Sequence, residues 1–543
     1  MHLHPRACSA ETDHVSKSLK NIGVVSALTM LSRILGLGRD MLVTAVFGTS
    51  ALASIFYTAF TLPNLFRRLL GEGALTAALV PTLQEELKAR ERAGAFALVN
   101  QVTSWLLVVT VGIVSAAMIS LTQMGSLMGA ASSWGIESDT SQRLVASADY
   151  AIVLFPYLVF VCLAAVMSAA LQTLHRFVEP ALSPIWLNLA MIGALTGAVY
   201  GGWAQSPDSR MHWLCVGALL GGFLQMAVPA AALVSEGWRP RFDFGRSGPL
   251  RQIVALMGPT VFGSAIYLIN MAVSRFIGLS LNDSAVTVLN LATRLMELPI
   301  GVFTIAISTV VFPLIAKHAA DRDGEKFARS YLKGMRLILV INVPAAVGLA
   351  LLAKPIVRLL FQRGAFGVND TALMLPVLAV YALGLPFFSF VNLALKAFYA
   401  RKDTSTPVRA ALLSFAVNLG LSFALMETIG TLGLAVAGNV AIIAQAWFLQ
   451  YRLAQGQEGL RFGHIGLDLV KIIGASVLMG LAVAGGWWAW SHWVAASKTG
   501  DAIGLVVLIT AGVIIYGGML WALRIEGRED LAALLNKFKA KIA

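Results

Sequence analysis

The sequence predicts an all-α integral membrane protein of about fourteen transmembrane helices, arranged as two pseudo-symmetric six-helix lobes plus two C-terminal helices. Three observations predict it. Hydrophobic residues make up 57% of the 543 positions and charged residues only 13%, with a mean hydropathy of +0.76, far too apolar for a soluble domain. Apolar stretches of roughly 20 residues, the length a helix needs to cross a bilayer, recur from end to end. They are continuously apolar and do not alternate as barrel strands do.

Taken in order, residues 1–19 are polar and irregular and read as a cytoplasmic tail. Metal binding by His2, His4, Cys8 and His14 is the weaker reading of that tail. No short apolar core with a cleavage site precedes the first helix, so a removable leader is not expected. The first apolar stretch, 21–47, carries Arg33, Arg39 and Asp40 around Gly36 and Gly38. The second, 52–82, carries Pro63, Arg67, Arg68 and Glu72. Stretches 99–123, 147–172, 181–203 and 212–235 complete an N-lobe, 20–240. Stretches 252–279, 285–316 (with Arg294 and Glu297), 331–353, 371–398, 407–427 and 431–451 form a C-lobe, 241–455. The last two, 467–493 and 502–523, stand apart in 456–525, and a second cytoplasmic tail spans 526–543. Trp487, Trp488, Trp490 and Trp493 read as an aromatic belt at a membrane interface.

Lysine and arginine set the orientation. Lys88, Arg90, Arg92, His175, Arg176, Arg239, Arg241, Arg246, Arg251, Lys317, Arg322, Lys326, Arg329, Arg401, Lys402, Arg409, Arg452 and Arg461 fall on one side, and the opposite connections are nearly bare apart from Arg143, Arg210 and Lys498. The positive-inside rule places both termini in the cytoplasm. The net charge of +13 is therefore topological, and nucleic acid is not an expected partner. Between Leu351 and Asp370 an outside connection carries Lys354, Arg358 and Arg363 among apolar residues, the pattern of an interfacial amphipathic turn. Cys8, Cys162 and Cys215 offer neither a disulfide framework nor metal-ligand spacing.

The two halves repeat. Pro81, Pro156 and Pro184 recur as Pro313, Pro386 and Pro407, each in similar surroundings, and Asn188-Leu189 recurs as Asn418-Leu419. Six helices per half is an even number, so both halves enter the membrane in the same direction. A substrate would then be handled in a cleft between the lobes, by rocking one against the other.

Charges inside membrane helices are costly and by default mark a substrate or ion path. Arg33 lies about 12 residues, roughly 18 Å, into its helix, too deep to snorkel comfortably. On a straight helix Arg33 and Asp40 share a face and Arg39 is rotated away, though Gly36 and Gly38 could kink the helix between them; Arg33, Arg39 and Arg67 have no obvious single partner. Arg68 with Glu72 and Arg294 with Glu297 have the spacing of internal ion pairs. Guanidinium binds phosphate oxygens through paired hydrogen bonds and stays charged at any relevant pH, so a cationic interior points to a phosphate or diphosphate. No phosphate-cradling loop, zinc motif or nucleophile elbow occurs, and Asp321 with Asp323 reads as a solvated face. A gradient, the membrane potential or substrate concentration must drive any transport.

Ser32-Arg33-Ile34-Leu35-Gly36-Leu37-Gly38-Arg39-Asp40, then Leu62-Pro63-Asn64-Leu65-Phe66-Arg67-Arg68 and Glu72-Gly73-Ala74, resemble the N-terminal signature of the MurJ (MviN) family of lipid II flippases. Arg294-Leu295-Met296-Glu297, Leu360-Phe361-Gln362-Arg363-Gly364-Ala365-Phe366 and Phe398-Tyr399-Ala400-Arg401-Lys402-Asp403-Thr404 continue the likeness, which covers about Lys20 to Leu523. The resemblance implies a transporter of the multidrug/oligosaccharidyl-lipid/polysaccharide exporter superfamily, not an enzyme, in the bacterial inner membrane. It implies lipid II, membrane lipids and cell-wall synthesis machinery as partners, and no cofactor beyond a coupling monovalent cation or proton. It assigns substrate binding to Arg33, Arg39, Arg67 and Arg294, gating or ion pairs to Asp40, Arg68, Glu72 and Glu297, and hinges to Gly36, Gly38 and Pro63, with a polyprenyl groove on the last two helices. Ser54, Thr61 and Thr293 stand where many relatives carry charges, which weakens any gating scheme built on those ion pairs. The alternatives are an exporter of another polyprenyl-diphosphate-linked glycan and a polyprenyl-phosphate transferase; the latter would need an acidic metal site in a cytoplasmic connection.

Overall fold

Long apolar runs with few interior breakers produce a chain of helices, and the computed structural model describes residues 6–67, 74–131, 138–455, 458–460, 463–494 and 497–525. The first helices are α1 (Arg6–Phe47), α2 (Ala51–Phe66), α3 (Ala74–Thr122), α4 (Met124–Ala131), α5 (Ser138–Leu154) and α6 (Tyr157–Thr173). They are followed by α7 (Val178–Tyr200), α8 (Pro207–Ser235), α9 (Gly248–Leu281) and α10 (Ala285–Pro299). A π segment, Ile300–Thr304, leads into α11 (Ile305–Ala320), α12 (Gly324–Leu351), α13 (Ala353–Leu360) and α14 (Val368–Ala400). The last are α15 (Ser405–Ala454), α16 (Gly463–Trp493) and α17 (Lys498–Ala522). Ser50, Ser206, Ser247, Asp323 and Ser497 each cap a helix start by accepting a backbone N–H.

The described parts of all fourteen apolar stretches are essentially helical. Among the described residues, however, nine helices have the length and apolarity to cross a bilayer, or ten if the bent pair Asp139–Leu154 and Tyr157–Thr173 is one span. That count covers the described residues alone and takes α15 as one helix. Stretches 407–427 and 431–451 run together as α15, turning at Gly430, whose φ of 58° and ψ of −134° favour glycine. α2, at 16 residues, is short for a crossing. The tail also differs from expectation: α1 begins at Arg6, because no glycine or proline between there and Asn21 stops the helix.

The chain divides into two compact units, Met1–Asp283 and Ser284–Ala543. This places α9 in the first unit, whereas the sequence repeat opens its second half at 241.

In the first unit, glycines let helices approach closely, the usual solution where lipid supplies no hydrophobic drive. A Cβ at Gly217 of α8 would fall 2.7 Å from Ala194 Cβ of α7, and one at Gly221 would fall 2.7 Å from Leu187 Cα. Gly222 likewise faces the ring of buried Tyr157, whose hydroxyl donates to Gln225 Oε1 at 3.2 Å. Arg143, an exception to the charge asymmetry, is paired with Asp139 and Asp283 within this unit.

In the second unit, α12 is the core element, with Tyr331, Met335 and Ile338 fully buried among residues of α14, α15 and α16. Polar contacts attach the last two helices to it. Arg336 of α12 meets Asp468 of α16 at 2.8 Å, Arg358 of α13 meets Asp501 of α17 at 3.4 Å, and the Tyr516 hydroxyl donates to the Val340 carbonyl at 2.7 Å. The amphipathic segment after Leu351 is thus helix α13, with Ala353, Pro355 and Val357 buried against protein. Trp490 donates to the Gly500 carbonyl at 3.1 Å and Trp487 packs on the core, while Trp488 and Trp493 face outward.

Removing one partner of a largely buried ion pair strands the other charge. Arg336→Ala is expected to lower the unfolding free energy of the detergent-solubilised protein by about 3 kcal/mol, and the swap Arg336→Asp with Asp468→Arg to recover part of it. A thermal denaturation midpoint that does not move would show that α16 is held by apolar contact alone.

Candidate functional site

α1 carries two arginines six residues apart, and their surroundings differ completely. Arg39 is 7% exposed and Asp40 1%. Charges this deep persist when they are paired and hydrogen-bonded. Arg39 Nε and Nη2 both donate to Asp40 Oδ1, at 3.1 and 2.8 Å. Its Nη1 crosses to α7, donating to Asn188 Oδ1 at 3.1 Å and lying 3.8 Å from Met191 Sδ. Asn188 returns the contact, its Nδ2 donating to the Ser32 carbonyl at 3.2 Å. Guanidinium can only donate and a carbonyl can only accept, so both ends of this amide are fixed by their partners.

The Asn188 amide packs beside Gly36, where a Cβ would lie 3.6 Å from Nδ2, an ordinary contact distance. Nothing lies within 4 Å of the equivalent position at Gly38. α1 passes both glycines as continuous helix. Arg39 therefore has the partner that helical spacing alone did not supply: its long side chain reaches the adjacent carboxylate, and both turn toward α7.

Arg33 contrasts with it. Its side chain is half-buried, and among the described residues it makes no hydrogen bond or ion pair. Asp40, which shares its face by spacing, is already engaged by Arg39.

α2 delivers Arg67. Pro63 lies in the last turn of that helix, where its missing N–H loosens the ladder. The helix then passes into π geometry at Arg67, whose Nε donates to Asn64 Oδ1 at 2.6 Å. Arg68 and Glu72 lie outside the described residues.

The second unit repeats the motif of a proline leading into a π turn beside an arginine-bearing helix. α10 ends at Pro299 and continues as the π segment Ile300–Thr304. Arg294 and Glu297 face each other at 3.8 Å with side chains 48% and 49% exposed, a separation and exposure worth ~1 kcal/mol or less. Just beyond, Asn342 Nδ2 donates to Thr304 Oγ1 at 3.1 Å, and Thr304 donates to Ser389 Oγ at 2.9 Å. π turns are frequent at functional sites, where they re-aim side chains.

The three departures from the family pattern are satisfied locally. Thr61 and Thr293 return their hydroxyls to the carbonyls of Tyr57 and Leu289, at 2.6 and 2.7 Å. Ser54 is fully buried and donates to the Asp283 carbonyl at 2.5 Å. Among the described residues no group of three or more His, Cys, Asp or Glu is placed to hold a metal ion. Sequence reasoning singled out Arg39 but missed Asn188 as its partner; the recurrence of Asn188 as Asn418 was the available signal.

The family described as "Lipid II flippase MurJ" matches residues 43–499. A "Probable lipid II flippase MurJ" of Rhizobium meliloti (strain 1021) is 32% identical over 507 residues, covering 92% of each chain. One of Haemophilus influenzae is 30% identical over 507 residues, covering 91% of this chain and 97% of the relative. Among solved structures, "Lipid II flippase MurJ, inward closed conformation" aligns with a TM-score of 0.74 at 24% identity, covering 92% of this chain and 99% of that one. An inward-facing multidrug resistance MATE family transporter of the MOP superfamily aligns with a TM-score of 0.62 at 16% identity, covering 80% and 98%. At these identities the two structures bear on the fold alone.

Asn188→Leu keeps the volume and removes both hydrogen bonds, leaving Arg39 short of an acceptor. We expect it to cost about 2 kcal/mol of stability, read as a lower denaturation midpoint, with Asn188→Asp retaining more because it still accepts from Arg39. Equal midpoints for all three proteins would mean that Asn188 does not hold Arg39.

Proposed function

This chain belongs to the lipid II flippase MurJ family, and we propose that it carries lipid II, the undecaprenyl-diphosphate-linked disaccharide-pentapeptide, from the inner to the outer leaflet of the bacterial cytoplasmic membrane by alternating access. It is a transporter rather than an enzyme. The observation that carries the reading is the contrast within α1: Arg39 is neutralised by Asp40 and Asn188, while half-buried Arg33 keeps its hydrogen-bonding capacity. A guanidinium so placed suits the paired oxygens of a diphosphate.

Arg33 and Arg67 are the candidate diphosphate ligands of the first unit, and Arg294 is the corresponding candidate of the second. Arg39 serves as a fixed positive element that orients α1 and α7. Both termini are assigned to the cytoplasm by the distribution of lysine and arginine. The likeness to multidrug transporters does not favour a cationic drug as cargo, because such a cargo wants an available carboxylate and Asp40 is committed to Arg39. An exporter of another polyprenyl-diphosphate-linked glycan would share the arginines, and the choice between cargoes lies with the glycan. We assign resetting of the empty cationic carrier to the membrane potential, which supplies roughly 2.3 kcal/mol per charge per 100 mV.

Two measurements test this reading. In bacteria depleted of their own lipid II flippase, the wild-type chain should restore externally exposed lipid II. Arg33→Ala at equal membrane level should reduce it roughly tenfold or more, the effect of losing a charged hydrogen bond worth about 1.5–3 kcal/mol; full rescue by Arg33→Ala would remove Arg33 from the site. In vesicles of fixed lipid II content, turnover should slow when the potential is collapsed with an ionophore, and an unchanged rate would exclude the potential as the resetting force.

A further inference from the structure

The connection between α8 and α9, residues 236–247, contains no helix, yet it is built onto one face of α3. Asn100 of α3 accepts from Trp238 Nε1 at 2.9 Å and from the Arg241 backbone N–H at 3.3 Å, and donates to the Arg239 carbonyl at 3.1 Å. Four and five residues on, Ser104 Oγ accepts from the Asp243 N–H at 2.9 Å, and Trp105 Nε1 donates to the Gly245 carbonyl at 3.3 Å. Gln101 Oε1 accepts from Ser247, the cap of α9, at 2.6 Å. Positions 100, 101, 104 and 105 form one helical stripe, so the connection is a strap fixed along its length.

The strap's outer side is amphipathic in an unusual way. Phe242 and Phe244 are 79% and 51% exposed and lie parallel, with ring centroids 6.3 Å apart. Trp105 meets Phe244 edge-on at 5.8 Å, and Arg246 lies over the Trp105 ring at 5.5 Å. Arg239, Arg241 and Arg246, with Arg251 in the first turn of α9, are all exposed, and half-buried Asp243 accepts from the Gly245 N–H at 2.8 Å. The strap follows the end of one helix apolar and long enough to cross a membrane, Pro207–Ser235, and runs along α3 just after its break at Arg90 and Glu91, which places it where a span begins. Aromatic rings flanked by arginines at that depth match the lipid interface, the rings among acyl chains and the guanidinium groups at the phosphates.

We propose that the strap and Arg251 form an interfacial anchor that binds the head groups of anionic phospholipids in the leaflet it borders. The proposal rests on the membrane reading above and not on the identity of the cargo. Its consequence is that a lipid-held strap fixes the start of α9 to α3 through Ser247 and Gln101.

The test uses the purified full chain in micelles containing equal amounts of phosphatidylglycerol and phosphatidylcholine, with retained lipid read by native mass spectrometry. The wild type is expected to retain phosphatidylglycerol over phosphatidylcholine by about tenfold. R239Q/R241Q/R246Q/R251Q should bring the ratio near parity, while K317Q/R322Q/K326Q/R329Q, which removes the same charge elsewhere, should leave it. An unchanged ratio in the first variant, or an equal fall in both, would overturn the proposal. Phe242→Ser with Phe244→Ser retains the charges, and circular dichroism of each variant separates lost binding from lost fold. Independently, a nitroxide at Phe242→Cys, with Cys8, Cys162 and Cys215 replaced by serine, should be more accessible to oxygen than to an aqueous nickel chelate in vesicles. The reverse order would place the strap in water and end the idea. Neither readout involves lipid II, so failure here is distinguishable from failure of the transport reading.

Discussion

A guanidinium buried in an apolar helix bundle must be compensated, and in the first unit this requirement organises the site. Asp40 supplies the opposite charge to Arg39, and Asn188 supplies the acceptor that a single carboxylate oxygen leaves wanting. Because Asn188 is on α7 and also bonds the Ser32 carbonyl, neutralising one charge joins two helices at two points one to two turns apart. The pairing also decides what remains. With Asp40 committed, Arg33 is left without an opposite charge among the described residues, which fits the anionic cargo proposed above.

The fold class was legible because bilayer crossing leaves a signal that needs no tertiary information: long apolar runs separated by charged connections. Less legible was how those runs join. Gly430 lets two runs continue as α15 with almost no connection, and the π segment after Pro299 carries α10 into α11 without a loop. α13 was legible as an amphipathic turn, but its burial against protein was not, since that depends on Asp501 being more than a hundred residues away. Within the site, the arginines could be named from their cost of burial and from the family likeness. Their partners were harder to name, because Asn188 stands 149 residues from Arg39 and only its recurrence as Asn418 marked it in the chain.

The replaced family charges illustrate the same distinction between residue and environment. Thr61 and Thr293 each satisfy their hydroxyl on their own helix, and Ser54 does so on a nearby carbonyl. A charge at such a position would demand a partner of opposite sign; a hydroxyl demands only an acceptor, which every helix supplies. The chain can therefore lose those charges without leaving a buried group unsatisfied, while a similar loss at Asp40 would strand Arg39.

The last two helices lie outside the internal repeat, yet their attachment uses ion pairs where apolar packing would have sufficed. Replacing a buried ion pair by well-fitted apolar residues is often neutral or stabilising, so Arg336–Asp468 and Arg358–Asp501 are poorly explained as sources of stability. Register explains them better. Helices faced with interchangeable leucines, valines and isoleucines can slide past one another at little cost, whereas a charge pair is satisfied at one setting. One such pair fixes α16 on α12 and the other fixes α17 on α13, with Tyr516 on Val340 as a third point. Two lipid-facing helices held in a single register present an unchanging apolar surface, including exposed Val477, Leu481, Val506 and Val513, to whatever chain lies along them.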